Sequence, residues 1–131
     1  MADTMQFDLV SPERRLASGQ AKSVQIPGAE GQMTAMPGHA PTISTLRPGV
    51  LRVEMADGLK EFAVTGGFAE IGAEGVSVLA EQAYARHPDN RAEVEAMLEE
   101  ARQKAAGAAP EHKDMAELIV SDLSQLLQDM V

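Results

Sequence analysis

Apolar and polar residues alternate along most of the first two thirds of the chain, and the alternation gives way to a helical period in the last third. Met5, Phe7 and Leu9 alternate with Gln6 and Asp8, which is the two-residue period of a strand. Ser11-Pro12 ends that run. Val24 and Ile26 alternate with Ser23 and Gln25 before Pro27-Gly28, where a turn is expected. Leu51, Val53 and Met55 alternate with Arg52 and Glu54, and Asp57-Gly58 follows as a hairpin signal, since both turn positions favour positive φ. The returning run, Glu61 to Val64, places Phe62 and Val64 on one face, and Gly66-Gly67 is expected to break it. Phe68–Ile71 and Val76–Ala80 pair across Gly72-Ala73-Glu74-Gly75. Many short strands joined by turns predict an antiparallel sandwich or barrel. There is no room for crossover helices, so a parallel sheet is not expected.

The pattern changes near Tyr84. Gly, Pro and the aromatics thin out beyond it, while Ala, Glu, Leu and Gln dominate. Asn90 followed by Glu93 reads as a capping box after Pro88. Val94, Leu98, Ala101 and Ala105 then share one helical face. Gly107 is a stop, and Pro110 suits the first position of a second helix. That helix carries a stripe of Met115, Ile119, Leu123, Leu126, Leu127 and Met130, opposite Glu117, Ser121, Ser124 and Gln128. The short connection implies an antiparallel helical hairpin, and each stripe needs cover to be stable. The expected organisation is a β-sandwich domain over residues 1–84 and a helical hairpin over 85–131.

Composition narrows the function. The 131 residues hold 11 Lys and Arg against 20 Asp and Glu, a formal charge of -9. Such a surface repels phosphate backbones and anionic lipid, which argues against nucleic acid and against lipid insertion. Aromatics are limited to Phe7, Phe62, Phe68 and Tyr84, too few for base-stacking platforms. The absence of Cys excludes disulfides and thiolate chemistry. No apolar run approaches the roughly 20 residues of a membrane helix. The first ten residues lack the basic start of a signal peptide.

Candidate chemistry is sparse. His39, His87 and His112 do not sit at ligand spacing, so no metal site is expected. There is no nucleophile elbow and no phosphate loop, and the glycine pairs read as turns between strands. Glu99-Glu100 are neighbours on a helix and point apart. His39, within the rigid turn Met36-Pro37-Gly38-His39-Ala40-Pro41, reads first as a side chain bonded inside its own loop and second as a partner contact. No catalytic, cofactor or metal residue is assigned.

Three segments then carry a resemblance. Gly28-Ala29-Glu30-Gly31, the Pro-Gly-His-Ala-Pro turn at 37–41, and Leu46-Arg47-Pro48-Gly49-Val50-Leu51 occur in that order, with Val10-Ser11-Pro12 before them and Gly66-Gly67-Phe68 after. The sequence resembles the epsilon subunit of bacterial F-type ATP synthases over essentially its whole length, with specific motifs over residues 5–80. The resemblance implies a sandwich of about ten short strands followed by a helix-turn-helix. It also implies a non-catalytic rotor subunit at the cytoplasmic face of the cell inner membrane, which grips the gamma subunit and rests on the ring of c subunits. By position it implies a c-ring contact at Glu30, Gly31 and Gln32, and gamma contacts at Ser11, His39 and Ser44.

In many relatives the hairpin extends, meets the catalytic alpha and beta subunits and inhibits ATP hydrolysis through basic residues on its second helix. Here residues 111–131 carry Glu111, Asp114, Glu117, Asp122 and Asp129 against Lys113 alone. An acidic helix is repelled by an acidic surface. Some relatives bind ATP through an "I/L-D-x-x-R-A" helix start. Arg91-Ala92 fits this pattern, but His87 and Pro88 replace its apolar residue and Asp, and the second-helix arginines are missing. The expectation is weak or no ATP binding and weak inhibition. A nucleotide-sensing regulatory module acting through the hairpin is the alternative.

Overall fold

The computed structural model describes residues 3–130; the outermost ends of the two expected domains, at 1, 2 and 131, lie outside the described residues. Seven strands are followed by two helices: β1 (Met5–Val10), β2 (Arg15–Gly28), β3 (Gly31–Ala35), β4 (Thr42–Thr45), β5 (Gly49–Met55), β6 (Gly58–Ile71), β7 (Gly75–Ala85), α1 (Arg91–Ala106) and α2 (Pro110–Gln128). The strands run β1-β7-β6-β5-β2-β3, and β4 pairs with β6. β1 also pairs with β2, so β1, β7, β6, β5 and β2 close into a ring, a flattened barrel that forms the two layers of the sandwich. The strand count is seven rather than about ten because β2 and β6 run for 14 residues each and serve successive neighbours. β2, for example, pairs with β1 through its first half and with β5 and β3 through its second.

One pairing departs from the antiparallel expectation. β1 and β7 run parallel, with Phe7 opposite Val76 and Leu9 opposite Val78. The connection between them is the rest of the sandwich, so no crossover helix is needed. Two turns also sit elsewhere than the dipeptides suggest. β2 runs through Pro27-Gly28, and the tip is Ala29-Glu30, closed by Gly28 opposite Gly31. In the β5–β6 hairpin the tip is Ala56-Asp57; Gly58, at φ 138°, already faces Met55, and Asp57 keeps negative φ.

Gly66-Gly67 does not break β6 but bends it. Ahead of the pair Phe62 and Val64 point into the sandwich core, and beyond it Ala69 and Ile71 do. The phase of the alternation therefore shifts by one. β7 shifts in step, from Val76, Val78 and Ala80 to Ala83. The switch needs glycine. Gly67 sits at φ 108°, and a Cβ there would lie 2.0 Å from the Leu79 carbonyl oxygen.

The core of the sandwich is fully apolar: Phe7, Leu9, Val24, Ile26, Leu51, Val53, Val64 and Val78 are completely buried within it. A second cluster joins the helices to the outside of the sandwich. Val94, Leu98, Ala101, Leu123, Leu126 and Met130 pack on Ala63, flanked by Val50, Met97, Val120 and Leu127. Burying a single Leu there stabilises docking by about 2 kcal/mol. α1 buries the face read from its sequence, Val94, Leu98, Ala101 and Ala105. The capping box is not formed. Asn90 instead donates from Nδ2 to the Ala85 carbonyl at 2.8 Å, while His87 Nδ1 accepts from the Asp89 amide at 3.1 Å and caps the short 3-10 turn before α1. The α2 stripe is buried only toward its C-terminal end; Met115, Leu118 and Ile119 remain exposed.

Gly67→Ala is expected to cost at least about 2 kcal/mol, since it combines a strained φ with a backbone clash. Gly72→Ala, where an added methyl meets open space, serves as the control. Thermal unfolding of both variants checks this; equal melting temperatures would show that the bend tolerates a side chain.

Candidate interaction surface

The hairpin is held against the sandwich by arginines from outside α2. Arg47, in the β4–β5 connection, donates to Asp122 through Nε at 3.0 Å and Nη2 at 2.5 Å, a bidentate pair spanning 75 residues. Hydrogen bonding to Asp122, and then its charge, hold the Arg47 pKa above the ordinary arginine value, against a smaller opposing cost of burial. A raised pKa on a cation stabilises below its unfolded value and is lost only as pH climbs through the folded one. The arginine side of the pair is therefore insensitive to acid-to-neutral changes.

α2 has no basic residue in its last turn. The carbonyls there are taken by two imported guanidinium groups instead. Arg86 Nε donates to the Asp129 carbonyl at 2.5 Å, and Arg91 Nη1 to the Leu127 carbonyl at 2.8 Å. Cations at this end also favour the negative pole of the helix. Arg86 is itself set by Glu61, which accepts from its Nη1 at 3.0 Å and pairs with Arg52 at 2.9 Å. At the other end of the hairpin, Lys113 Nζ donates to the Ala105 carbonyl at 3.3 Å.

The outer face of β6 and β7 has two fates. Ala63 lies under the helices, opposite Tyr84. Past the glycine bend the same face is bare. Phe68 stands directly across from Leu79, Thr45 pairs with Phe68, and Ile43 lies two residues along β4; Ile43 is 73% exposed, and Phe68 and Leu79 are also exposed. Val10 pairs with Leu79 on the far side. The result is an apolar strip across four adjacent strands, three spacings of roughly 4.8 Å each. Exposed apolar side chains gathered in this way mark a contact surface.

The residues singled out from the sequence fall in three places. Ser11 follows Val10 at one margin of the strip, in a turn where its amide donates to the Arg14 carbonyl at 2.9 Å. His39 lies in the loop leading to β4 at the other margin. Its Nδ1 donates to the Ala40 carbonyl at 2.7 Å, the within-loop bond of the first reading. Ser44 is on β4, but opposite the buried Ala69, so its side chain leaves the face that Ile43 occupies. Glu30, Gly31 and Gln32 are exposed at the β2–β3 tip, and Gln32 Nε2 donates to Gln25 Oε1 at 3.1 Å. The strip and the arginine clamps were missed in the sequence. For the strip a signal existed: Val78-Leu79-Ala80 is apolar on both strand faces.

Closed core, bare apolar strip and clamped hairpin define the class: a two-part sandwich-and-hairpin module that works through its surfaces. Residues 4–86 match the family described as ATP synthase, Delta/Epsilon chain, beta-sandwich domain. The ATP synthase epsilon chain of Ruegeria sp. (strain TM1040) is 56% identical over 130 residues, covering 99% of this chain and 93% of that one. That of Fuscovulum blasticum is 57% identical over 126 residues, covering 96% and 95%. A chain of the Euglena gracilis mitochondrial ATP synthase shares the fold at a TM-score of 0.73 and 23% identity, across 98% of this chain and 81% of its own. The chain belongs to the ATP synthase delta/epsilon family, as an epsilon-type rotor-stalk subunit of an F-type ATP synthase. It is thus part of a membrane-associated complex, and among the described residues no helix is long and apolar enough to cross a membrane.

Arg47→Ala is expected to loosen the hairpin by about 1 kcal/mol, the scale of a partly exposed bidentate pair. Amide exchange in α2 should speed up roughly fivefold. A double-mutant cycle with Asp122→Ala tests the pairing, and zero coupling would show that the ion pair contributes nothing to docking.

Proposed function

We propose that the chain is a passive mechanical coupler in the rotor, with no active site of its own, that joins the gamma subunit to the c ring at the cytoplasmic face of the cell inner membrane. The apolar strip of Ile43, Phe68 and Leu79 carries this reading, because it offers gamma a contiguous apolar seat across paired strands. Ser11 borders that seat, and His39 sits in the loop entering β4. Ser44 acts only indirectly, from the inner side of β4. The exposed tip Glu30-Gly31-Gln32 is the proposed c-ring contact. A closed strand ring with an apolar core resists shear, as torque transmission requires.

Inhibition by the hairpin is weak in this reading, and the alpha and beta subunits are at most minor partners. Three observations support that. α2 is acidic, its C-terminal carbonyls are gripped by Arg86 and Arg91, and Asp122 is engaged by Arg47. Hydrolysis-inhibiting extension would have to break all of these contacts. ATP binding is weak or absent in this reading for a related reason: Arg91, which with Ala92 fits the nucleotide motif, donates to the Leu127 carbonyl and lies 4.0 Å from Glu95.

Phe68→Asp is expected to weaken the complex with purified gamma subunit at least tenfold by titration calorimetry while leaving the melting temperature near that of the parent, since Phe68 is exposed. Unchanged affinity would remove the strip from the interface. Titration with ATP is expected to give no binding heat up to millimolar concentration, and heat in the micromolar range would restore the nucleotide-sensing alternative.

A further inference from the structure

Between the hairpin and the sandwich runs a cleft of about 500 Å³, lined chiefly by apolar groups that include Leu46, Pro48, Met97, Met115, Ile119 and Leu123. α2 leaves Met115, Leu118 and Ile119 exposed along it, at the i, i+3, i+4 spacing of a single helical face. Met115 is 63% exposed even with the hairpin docked. We propose that this cleft is a second docking site for the rotor neighbour seated on the strip, receiving a basic amphipathic helix of that gamma subunit. The inference rests on the strip being the gamma seat.

Continuity is the first argument. The sandwich wall of the cleft includes Thr45, Gly66 and Glu81, and the strip begins within two residues of each, at Ile43, Phe68 and Leu79. Both border the outer face of the β6–β7 pair, and the helices cover only part of that face. A partner lying on the strip meets the mouth of the cleft without crossing another element.

Charge selects the occupant. The cations at the cleft are already engaged, Arg47 by Asp122 and Lys104 by Glu100 at 3.2 Å. Glu81 lies over Gly66 at the junction of cleft and strip, and among the described residues it makes no ion pair. Asp114 stands exposed on α2 one turn before Leu118, at the edge of the same face. An apolar floor with an acidic margin fits a helix whose apolar anchors are flanked by Lys or Arg. An acidic or neutral helix would leave those carboxylates facing like charge or nothing.

Full-length chain is titrated with purified gamma subunit at low and at high salt, as parent, Leu118→Glu, Glu81→Lys and Phe68→Asp, with melting temperatures recorded for each. Leu118→Glu and Glu81→Lys are each expected to weaken binding about five- to tenfold, and Glu81→Lys to flatten the salt dependence. The cysteine-free chain also permits one label: Leu118→Cys carrying a photo-crosslinker should join a Lys- or Arg-rich segment of gamma. Loss of binding in Phe68→Asp with parental affinity in both cleft variants would overturn this inference and leave the strip reading intact. Parental affinity in all three would overturn the strip reading itself. Crosslinks from position 118 to the c subunits alone, or a dimer of the free chain abolished by Leu118→Glu, would assign the cleft to another occupant and overturn it as well.

Discussion

The phase switch at Gly66-Gly67 sets the layout of the molecule. A strand buries every second residue, and a continuous β6 would carry one set of side chains inward along its whole length. The bend reverses the set midway, so Phe62 and Val64 on one side of it and Ala69 and Ile71 on the other all reach the same core. β7 makes the same change from Ala80 to Ala83. The outward face is divided in consequence. Its first segment offers Ala63, small enough for the helices to lie close, and its second offers Phe68, which stands exposed. Gly67 permits the bend because its hydrogen takes the place where a methyl would strike the Leu79 carbonyl.

Hairpin docking combines two kinds of interaction of different character. The apolar cluster around Leu98, Leu123 and Leu126 supplies most of the stabilisation but little direction. The guanidinium groups of Arg47 and Arg86 supply the register on the sandwich, and Arg91, at the start of α1, ties the end of α2 to its partner helix. Arg86 also reaches Glu61 on β6, so the end of α2 is tied to a strand that itself connects to the strip. Helix and sandwich therefore move as neighbours through hydrogen-bonded contacts rather than through grease alone.

A rotor component must transmit force without yielding and must meet moving partners on defined faces. In the proposed reading the closed strand ring answers the first need and the exposed strip the second. An acidic surface of net charge -9 keeps the chain from binding polyanions and makes basic partners favourable. The same acidity extends over the second helix, where Glu111, Asp114, Glu117, Asp122 and Asp129 stand against Lys113 alone.

The sequence by itself determined the element types, the inward faces of β1, β5 and α1, the change from strands to helices just past Tyr84 and, through the Gly-Ala-Glu-Gly and Pro-Gly-His-Ala-Pro segments, the family. These are local: period, turn chemistry and short motifs are all written within a few residues. Tertiary structure decided the parallel contact of β1 with β7, the bend where a break was expected, and the side of β4 from which Ser44 projects. It decided too that the N-terminal end of the α2 stripe, Met115 and Ile119, stays bare, and that Asn90 reaches Ala85 instead of capping its helix. Each of these depends on which distant segment arrives alongside, as Arg47 meets Asp122 from 75 residues away. Periodicity fixes which side of an element is apolar, whereas only the assembled chain determines what, if anything, comes to cover it.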